Sequence, residues 1–243
     1  MCGRYAATKD PATLAAEFDA LDATEDHAPA TDYNVAPTKD VVTVVQRHPR
    51  DDEGEPDPST TVRSLRVMRW GLIPAWAKDM SIGARMINAR AETLLAKPAF
   101  RAAAVRRRCL VPADGWYEWV RDAGRRKPYF MTSPDGSTLA FAGLYEVWRQ
   151  DETTLLTCTI VTTAAIGPLV DIHDRMPLLL APDRWAAWLG QGDPEPLLVP
   201  PSLDEVAALE LRPVGNAVGN VANNGPELVL PRVGTETVAQ TLF

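Results

Sequence analysis

The chain has 243 residues, of which 46% are hydrophobic and 23% are charged, a composition typical of globular proteins. Its formal net charge of −7 disfavours indiscriminate binding to nucleic acid but is compatible with a local basic groove. The three cysteines, Cys2, Cys109 and Cys158, form no CxxC pair, and their odd number argues against a disulfide framework.

The sequence shows no pattern typical of a targeting or membrane segment. The N-terminal residues MCGRYAATKD lack the basic and apolar regions of a secretory signal. No apolar run reaches the ~18 residues that a membrane helix needs. We therefore expect a soluble protein of a reducing compartment, cytoplasmic if the protein is bacterial.

The first third of the chain is predicted to combine one helix with two paired strands. The helix begins at Pro11, because Asp10 suits the N-cap and proline suits the first turn. Its apolar residues follow at helical spacing: Leu14, Phe18 and Leu21. Segments 41–46 and 62–70 are predicted to form a hairpin, and the acidic, proline-rich stretch 47–61 between them is predicted to be a mobile loop insertion.

The middle of the chain is predicted to be mostly strand. A short helix at 91–97 and a helical run after Phe100 come first. The strand-like segments that follow are 109–112, 115–120, 128–132, 138–148 and 153–163. Turn residues at 122–124 and 134–136 indicate hairpins.

The last third completes the predicted architecture. Segment 176–181 suits a strand, and two helices follow, one from Pro182 to Gly190 and one from a capping box at Ser202 and Glu205 through Leu209. Meander-ordered strands with scattered helices indicate an α+β fold. We expect a single domain over 1–243, with a largely antiparallel, barrel-like β-sheet core flanked by short helices.

Cys2 has the most distinctive chemistry of the chain. If Met1 is removed, Cys2 carries an amine and a thiol on adjacent carbons, and such a pair condenses with an aldehyde to an imine and then to a thiazolidine. A modest electropositive environment would ionise the thiol near neutral pH. The alternative interpretation is an incidental cysteine at a frayed terminus.

Two titratable groups stand in otherwise apolar, strand-like segments. Glu118 lies between tryptophans in GWYEWV, where desolvation would raise its pKa into a range useful for proton transfer. His173 lies between Asp171 and Asp174, and a nearby carboxylate could hold its tautomer. The alternatives are a surface glutamate on a half-exposed strand and a histidine that satisfies buried backbone groups.

Several residues have side chains suited to nucleic-acid contact. Asn88 and Arg90 share a face if segment 87–93 is extended, and Arg4 is a further candidate for contacting an anion. Stacking surface for unpaired bases could come from Pro37, Trp70 and Trp76. The alternatives are a helix entry in which Arg90 pairs with Glu92, and tryptophans buried in the core.

Taken together, seven segments resemble the abasic-site processing proteins, also called the SOS-response-associated peptidase or SRAP family. They are MCGRY (1–5), YNVAPT (33–38), RWGLIPAW (69–76), INARAET (87–93), CLVPADGWYEW (109–119), DIHDRMPLLL (171–180) and AVGNVANNGPEL (217–228). The resemblance covers essentially the whole chain, and the occurrence of several motifs in one order makes it specific.

The resemblance implies that Cys2, exposed by loss of Met1, crosslinks the aldehyde of an abasic site in single-stranded DNA. It implies site roles for Asn88, Glu118 and His173, phosphate contacts from Arg4 and Arg90, and base stacking by Pro37 and Trp76. In one departure, Ala77 stands where some relatives carry a second aromatic residue. We expect abasic single-stranded DNA as the partner, association with the nucleoid when bound to it, and no cofactor, metal or membrane. No protein partner follows from the sequence.

Two other functions are compatible with these residues. A thiol peptidase would use Cys2 as nucleophile and His173 as base, and its removal of Met1 could be autocatalytic. A non-catalytic single-strand-binding module would bind intact and abasic strands equally. A metal site from Cys2, His173 and Asp174 has no ligand-pair spacing to support it.

Overall fold

A computed structural model describes residues 2–25, 27–49, 54–55, 57–122 and 125–232, without the side chains of 121, 122 and 125. Three sequence predictions fall wholly or partly outside these residues. They concern the removal of Met1, the turn at 122–124, of which residues 123 and 124 are not described, and the centre of the predicted loop at 47–61.

The helices are α1 (Pro11–Phe18), α2 (Pro98–Arg106), α3 (Pro182–Leu189) and α4 (Leu203–Ala207). Proline occupies the first turn of α1, α2 and α3, where its missing N–H removes no hydrogen bond. Asp10 accepts a hydrogen bond from the Thr13 N–H at 2.9 Å, and the predicted capping box of Ser202 and Glu205 is confirmed. None of the helices in the described part of the chain combines the length and apolar character of a bilayer crossing.

The strands are β1 (Tyr5–Ala7), β2 (Leu21–Asp22), β3 (Asp32–Val35), β4 (Asp40–Arg47), β5 (Val62–Trp70), β6 (Asn88–Arg90), β7 (Arg108–Ala113), β8 (Gly115–Asp122), β9 (Arg125–Thr132), β10 (Leu139–Gln150), β11 (Thr153–Ala164), β12 (Arg175–Pro177) and β13 (Glu210–Pro213). The predicted hairpin of 41–46 with 62–70 is confirmed as the antiparallel pair β4–β5. The five strands predicted between 109 and 163 are confirmed as β7 to β11.

A closed five-stranded barrel forms the core of the α+β fold, as the strand pattern predicts. Strands β11, β10, β7, β4 and β5 follow one another in this order. A parallel pairing of β5 with β11, through Arg69 opposite Thr157 and Trp70 opposite Cys158, closes the circle. Strand β6 adds to β11 outside the barrel, also in parallel.

Strand alternation sorts the barrel side chains into two cores. Inward-facing residues such as Val45, Met68 and Phe141 pack with the aromatic residues at one end of the barrel. Outward-facing residues such as Val44, Leu65 and Leu144 pack against helices α1, α2 and α3. The barrel is therefore apolar on both faces along much of its length.

A second sheet, in the order β13-β9-β8-β1-β3, lies against one end of the barrel. Tyr5 of β1 contacts the rings of Trp70 and Phe141 at centroid distances of 5.3 and 6.0 Å, and Trp116 of β8 contacts Phe141 at 6.0 Å. These four rings close that end, which we call the aromatic end. The opposite end, where β4 finishes at Arg47 and β5 begins at Val62, we call the far mouth.

Several predicted element boundaries are wrong. Residues 91–96 form consecutive turns rather than a helix, with the N–H groups of Thr93 and Leu94 both bonded to the Arg90 carbonyl. Leu21 is 64% exposed in β2 and does not extend the apolar face of α1. The turn at 134–136 joins strands of two different sheets and is not a hairpin. The strand at 176–181 shortens to β12, and α4 ends at Ala207.

Candidate active site

The antiparallel pairing of β1 with β8 carries the N-terminal residues toward Glu118. Tyr5 lies opposite Trp116, and the Tyr117 N–H donates to the Arg4 carbonyl at 2.9 Å. Gly115 permits the close approach of β8 to β9, because a Cβ there would lie 2.3 Å from the Met131 carbonyl oxygen of β9. Cys2 is consequently held at the aromatic end of the barrel.

Cys2 is fully buried, and its surroundings are not the electropositive environment that would ionise its thiol near neutral pH. Burial raises the pKa of the Cys2 thiol far above its usual range, and the negative charge of Glu118 raises it further. The thiol is therefore protonated in this state. The interpretation of Cys2 as a residue of a frayed terminus is also wrong, since its side chain belongs to the barrel core.

Asn88 holds the backbone of Cys2. Its Nδ2 donates to the Cys2 carbonyl oxygen at 2.7 Å, while its buried Oδ1 has no hydrogen-bond partner among the described residues. The predicted extended conformation of Asn88 and Arg90 is confirmed, because both belong to β6 and alternate with the buried Ala89. A buried acceptor without a partner, beside the reactive residue, suits a donor supplied by a ligand.

Glu118 is 4% exposed, so the interpretation as a surface glutamate is wrong. Burial raises the pKa of its carboxyl group to about 7, and the negative charge of Asp174 acts in the same direction. A carboxyl group with this pKa exchanges a proton readily at neutral pH. The pairing of β1 with β8 brings the segment of Cys2 alongside the strand of Glu118.

His173 lies just before β12 and is half-buried. Its Nδ1 lies 2.9 Å from the Arg175 backbone N–H and 2.8 Å from Asp174 Oδ1. Accepting a hydrogen bond from the Arg175 N–H needs an unprotonated Nδ1, whereas donating one to Asp174 needs a protonated Nδ1. Protonation of Nδ1 would therefore replace the bond to Arg175 with a bond to Asp174. Partial burial lowers the pKa of His173, which favours the neutral imidazole with Nδ1 accepting from Arg175.

Arg175 connects two of the sequence motifs and was not singled out as a site residue from the sequence. Its guanidinium binds both oxygens of Glu92, at 2.7 and 3.0 Å, and donates to the Thr162 carbonyl at 2.6 Å. The predicted alternative of an Arg90–Glu92 pair is therefore wrong. The ion pair between Arg175 and Glu92 connects the segment of His173 to the segment of Asn88. In the sequence, the only signal for Arg175 is its position in the motif DIHDRMP.

Arg4 is partly committed to structural contacts. Its Nη1 donates to Asn34 Oδ1 at 2.7 Å and to the Val218 carbonyl at 2.8 Å. Asn34, which is fully buried, in turn donates to the carbonyls of Asn220 and Asn223. Asn34 therefore anchors the loop that contains these residues, a role signalled only by its position in the motif YNVAPT.

The predicted stacking and phosphate residues differ in their surroundings. Trp70 is fully buried and donates through Nε1 to the Ile87 carbonyl at 2.9 Å, so it is a core residue and not a stacking surface. Trp76 is 61% exposed, and Arg90 is exposed. Pro37 is half-buried and precedes Thr38, whose N–H donates to the Trp70 carbonyl at 2.8 Å. The contacts of the described residues include none that joins Trp76 directly to Cys2.

The arrangement can move protons beside a buried nucleophile. A carboxyl group with a pKa near 7, a neutral imidazole and an amide with a free acceptor surround the N-terminal residues. No three His, Cys, Asp or Glu side chains of the described residues group together as metal ligands would. The groups present suit acid–base and covalent chemistry.

Comparisons with known proteins identify the family. The model of the family described as SOS response associated peptidase (SRAP) matches residues 1–221. The Bacillus subtilis abasic site processing protein YoqW is 37% identical over 236 residues, covering 94% of this chain and 99% of that protein. The Escherichia coli abasic site processing protein YedK is 34% identical over 244 residues, covering 95% and 100%. The chain belongs to the SRAP family.

Solved structures share the fold. A Bacteroides thetaiotaomicron protein superposes with a TM-score of 0.77 at 22% identity, covering 96% of this chain and all of that one. A Bordetella bronchiseptica protein gives a TM-score of 0.69 at 25% identity, covering 88% of this chain and all of that one. At such low identity the first likeness concerns the fold alone.

Proposed function

We propose that this protein captures abasic sites in single-stranded DNA through Cys2, forming a thiazolidine crosslink once Met1 has been removed. The observation that carries the proposal is the hydrogen bond from Asn88 to the Cys2 carbonyl, which fixes the backbone of a segment that pairs with the strand of the buried Glu118. The names of YoqW and YedK as abasic site processing proteins support the same target.

The first step is release of the sugar aldehyde. An abasic deoxyribose exists mostly as a cyclic hemiacetal, and its ring opens when one proton leaves the hydroxyl and another reaches the ring oxygen. His173, with a lowered pKa, is the residue that exchanges this proton. Arg90 and Arg4 contact phosphates, while Pro37 and the exposed Trp76 offer stacking surface to neighbouring bases.

Condensation and ring closure follow at the same carbon. The Cys2 amine attacks the aldehyde, and loss of water gives an imine. Glu118, with its pKa near 7, delivers the proton that the departing water needs. The thiol then adds to the carbon of the protonated imine, and its proton passes to the Glu118 carboxylate, which restores the acid. The ring nitrogen keeps the hydrogen that it already carries. Because both nucleophiles belong to one residue, closure is intramolecular and strongly favoured by proximity.

The burial of Cys2 explains this order of events. A thiol with a raised pKa is a weak nucleophile until the positively charged imine forms beside it and favours its ionisation. Ring closure consumes the imine, which would otherwise allow β-elimination and strand cleavage. The product therefore shields the lesion. The reaction begins like that of a lyase, with an imine, but ends in a stable adduct.

A thiol peptidase is the weaker candidate, although the family name contains that activity. A peptidase is favoured by a thiol that ionises readily in the resting state, whereas burial raises the pKa of the Cys2 thiol.

Substitution of Cys2 tests the proposal on an abasic single-stranded oligonucleotide. Cys2→Ala should abolish the heat-stable adduct, because the thiol is lost. Cys2→Ser should give only an imine that borohydride traps. Cys158→Ala, which removes another buried thiol, is the matched control and should keep the parental yield. A heat-stable adduct at parental yield in Cys2→Ala would disprove the proposal.

A further inference from the structure

The far mouth of the barrel contains a cavity that the proposed reaction does not use. The cavity has a volume of about 600 Å³, within the range typical of small-molecule sites. Eight of its lining residues occupy inward-facing strand positions: Val45, Arg47, Val62, Ser64, Arg66, Met68, Tyr145 and Leu156. The mouth of a barrel is a common position for a ligand site.

The cavity lies at the opposite end of the barrel from Cys2. Trp70, at the aromatic end, and Val62, at the far mouth, are the two ends of β5. Eight residues of strand correspond to roughly 26 Å at ~3.3 Å per residue. The lining residue Met68 lies two positions before Trp70, so this separation from Cys2 applies to a ligand held near the rim, at Arg47 and Val62.

Two arginines give the far mouth an unbalanced positive charge. Arg66 and Arg47 make no ion pair with any described residue. Asp22 also lines the cavity, with its Oδ1 accepting from the N–H and hydroxyl of Thr24, so two guanidinium charges face one carboxylate charge. An arginine at an inward-facing barrel position without a carboxylate partner leaves a forked set of donors for an external anion.

The floor of the cavity is apolar and aromatic. Met68 and Tyr145 are nearly fully buried there, and the guanidinium of Arg47 lies 5.0 Å from the centre of the Tyr145 ring. This contact holds Arg47 over the cavity without neutralising its charge. A ligand with an anionic head and an apolar body would match both the arginines and the apolar part of the cavity.

We propose that the far mouth binds a small organic anion, with its phosphate or carboxylate between Arg47 and Arg66 and its apolar body against the half-buried side chains of Val62 and Leu156. The site is independent of the crosslinking reaction and needs neither Cys2 nor DNA.

A pair of probes that differ only in charge provides the test. 1-Naphthyl phosphate and 1-naphthol carry the same flat apolar body, and their binding to the purified full chain is measured by calorimetric titration. The phosphate should bind with one-to-one stoichiometry and at least tenfold more tightly than the alcohol. Equal affinities, or no saturable binding of the phosphate, would overturn the proposal.

Variants locate the binding. Arg47→Gln combined with Arg66→Gln should lower the affinity for naphthyl phosphate at least tenfold and leave abasic-site crosslinking unchanged. Arg63→Gln is the matched control, because Arg63 lies on β5 but does not line this cavity and donates to the Phe18 carbonyl instead. If the double variant does not fold, Ser64→Phe, which narrows the mouth and keeps both arginines, should abolish binding. Parental affinity in the folded variant would overturn the proposal.

Competitors identify the source of the anion. A nucleoside monophosphate and decanoate carry anionic heads on different bodies, and the one that displaces naphthyl phosphate at lower concentration defines the class. If neither compound displaces naphthyl phosphate, the result contradicts a ligand site. Displacement by an intact oligonucleotide at equal potency would instead make the mouth part of a DNA surface and overturn the proposal.

The acidic residues Asp51, Asp52 and Glu53 follow β4 in the sequence and lie outside the described residues. A variant with all three changed to amides controls for their charge. Unchanged or tighter binding of naphthyl phosphate supports a site built by the arginines, whereas binding that requires these carboxylates would contradict it.

Discussion

At the scale of single residues, burial rather than a positive environment determines the chemistry of this site. It raises the pKa of the Cys2 thiol and that of Glu118, and it lowers the pKa of His173. All three shifts favour the uncharged form. The shifts therefore favour uncharged groups at this site rather than a preformed thiolate.

The pH dependence of adduct formation should report Glu118. The contribution of Glu118 to the rate should fall as the pH rises through about 7, because the protonated carboxyl group is the form that delivers the proton to the departing water. Glu118→Gln should lower the rate and remove this inflection, while any inflection from the Cys2 amine stays in both proteins. The measurement is the rate, between pH 5 and 9, at which an adduct forms that borohydride does not alter. An unaltered profile in the variant would contradict the role of Glu118.

The same residue should make the fold less stable as the pH rises. The carboxyl group of Glu118 titrates near 4.5 in the unfolded chain and near 7 in the fold, so the folded state binds more protons between these values. Stability is thus lost as the pH rises through that window. Glu118→Gln should be about 3 kcal/mol more stable than the parent at pH 8 and equal to it at pH 4. Urea unfolding at both pH values measures the difference.

Glu152→Gln, at an exposed position, controls for the loss of a carboxylate. It should alter the free energy of unfolding by less than ~0.5 kcal/mol at either pH. A Glu118→Gln protein that is destabilised at pH 8 would contradict the assignment of a buried, strained carboxylate.

At the scale of elements, one buried arginine links the C-terminal ends of two helices. Arg108, 3% exposed, donates to the Ala104 carbonyl of α2 at 2.7 Å and to the Trp188 carbonyl of α3 at 2.5 Å. It also donates to the carbonyls of Gly190 and Gly192 just after α3. These bonds satisfy carbonyls that the helix ends leave unpaired.

Arg108→Met should therefore destabilise the protein by roughly 3 kcal/mol or more, since several buried carbonyls lose charged donors at once. Arg101→Met, at an exposed position of α2, is the control and should change stability by less than ~0.5 kcal/mol. Chemical unfolding of both variants decides the question. Equal stability of the two would contradict the capping role.

The sequence predicts the elements where local pattern is strong and fails where distant contacts decide. The range 62–70 coincides with β5 because its alternation places Met68 and Trp70 inside the barrel. The helix predicted at 91–97 fails because Ala91 is bonded to Thr162 of β11, which anchors the segment to the barrel wall. The parallel closure of β5 on β11 has no local signal at all.

The candidate site shows the same division. Cys2, Asn88 and Glu118 stand out by residue type and motif, and the structure connects them. The pairing of Arg175 with Glu92, 83 positions apart, depends on the fold and could not be read from spacing. Trp70 and Trp76 are alike in sequence, and only packing separates the buried core residue from the exposed ring.

At the scale of the whole molecule, a net charge of −7 means that DNA binding must rely on local positive charge. Affinity for single-stranded DNA should therefore fall as salt rises. Arg90→Ala should reduce the slope of log K against log salt by about 0.7, the value for one lost phosphate contact on a single strand. Fluorescence anisotropy on a labelled oligonucleotide at several salt concentrations measures the slope.

Arg149→Ala is the control for this measurement, because Arg149 is exposed near the end of β10, away from the aromatic end of the barrel. Its slope should equal that of the parent. If the slope of log K against log salt for Arg90→Ala also equals that of the parent, Arg90 does not contact a DNA phosphate.

Intact-mass spectrometry of the protein, with and without an abasic oligonucleotide, tests the central claim most directly. The account predicts a free protein that lacks Met1 and an adduct heavier by the oligonucleotide minus one water, with a mass that borohydride does not change. A protein that retains Met1 and still forms the adduct, or an adduct that gains two hydrogens with borohydride, would contradict a thiazolidine at Cys2.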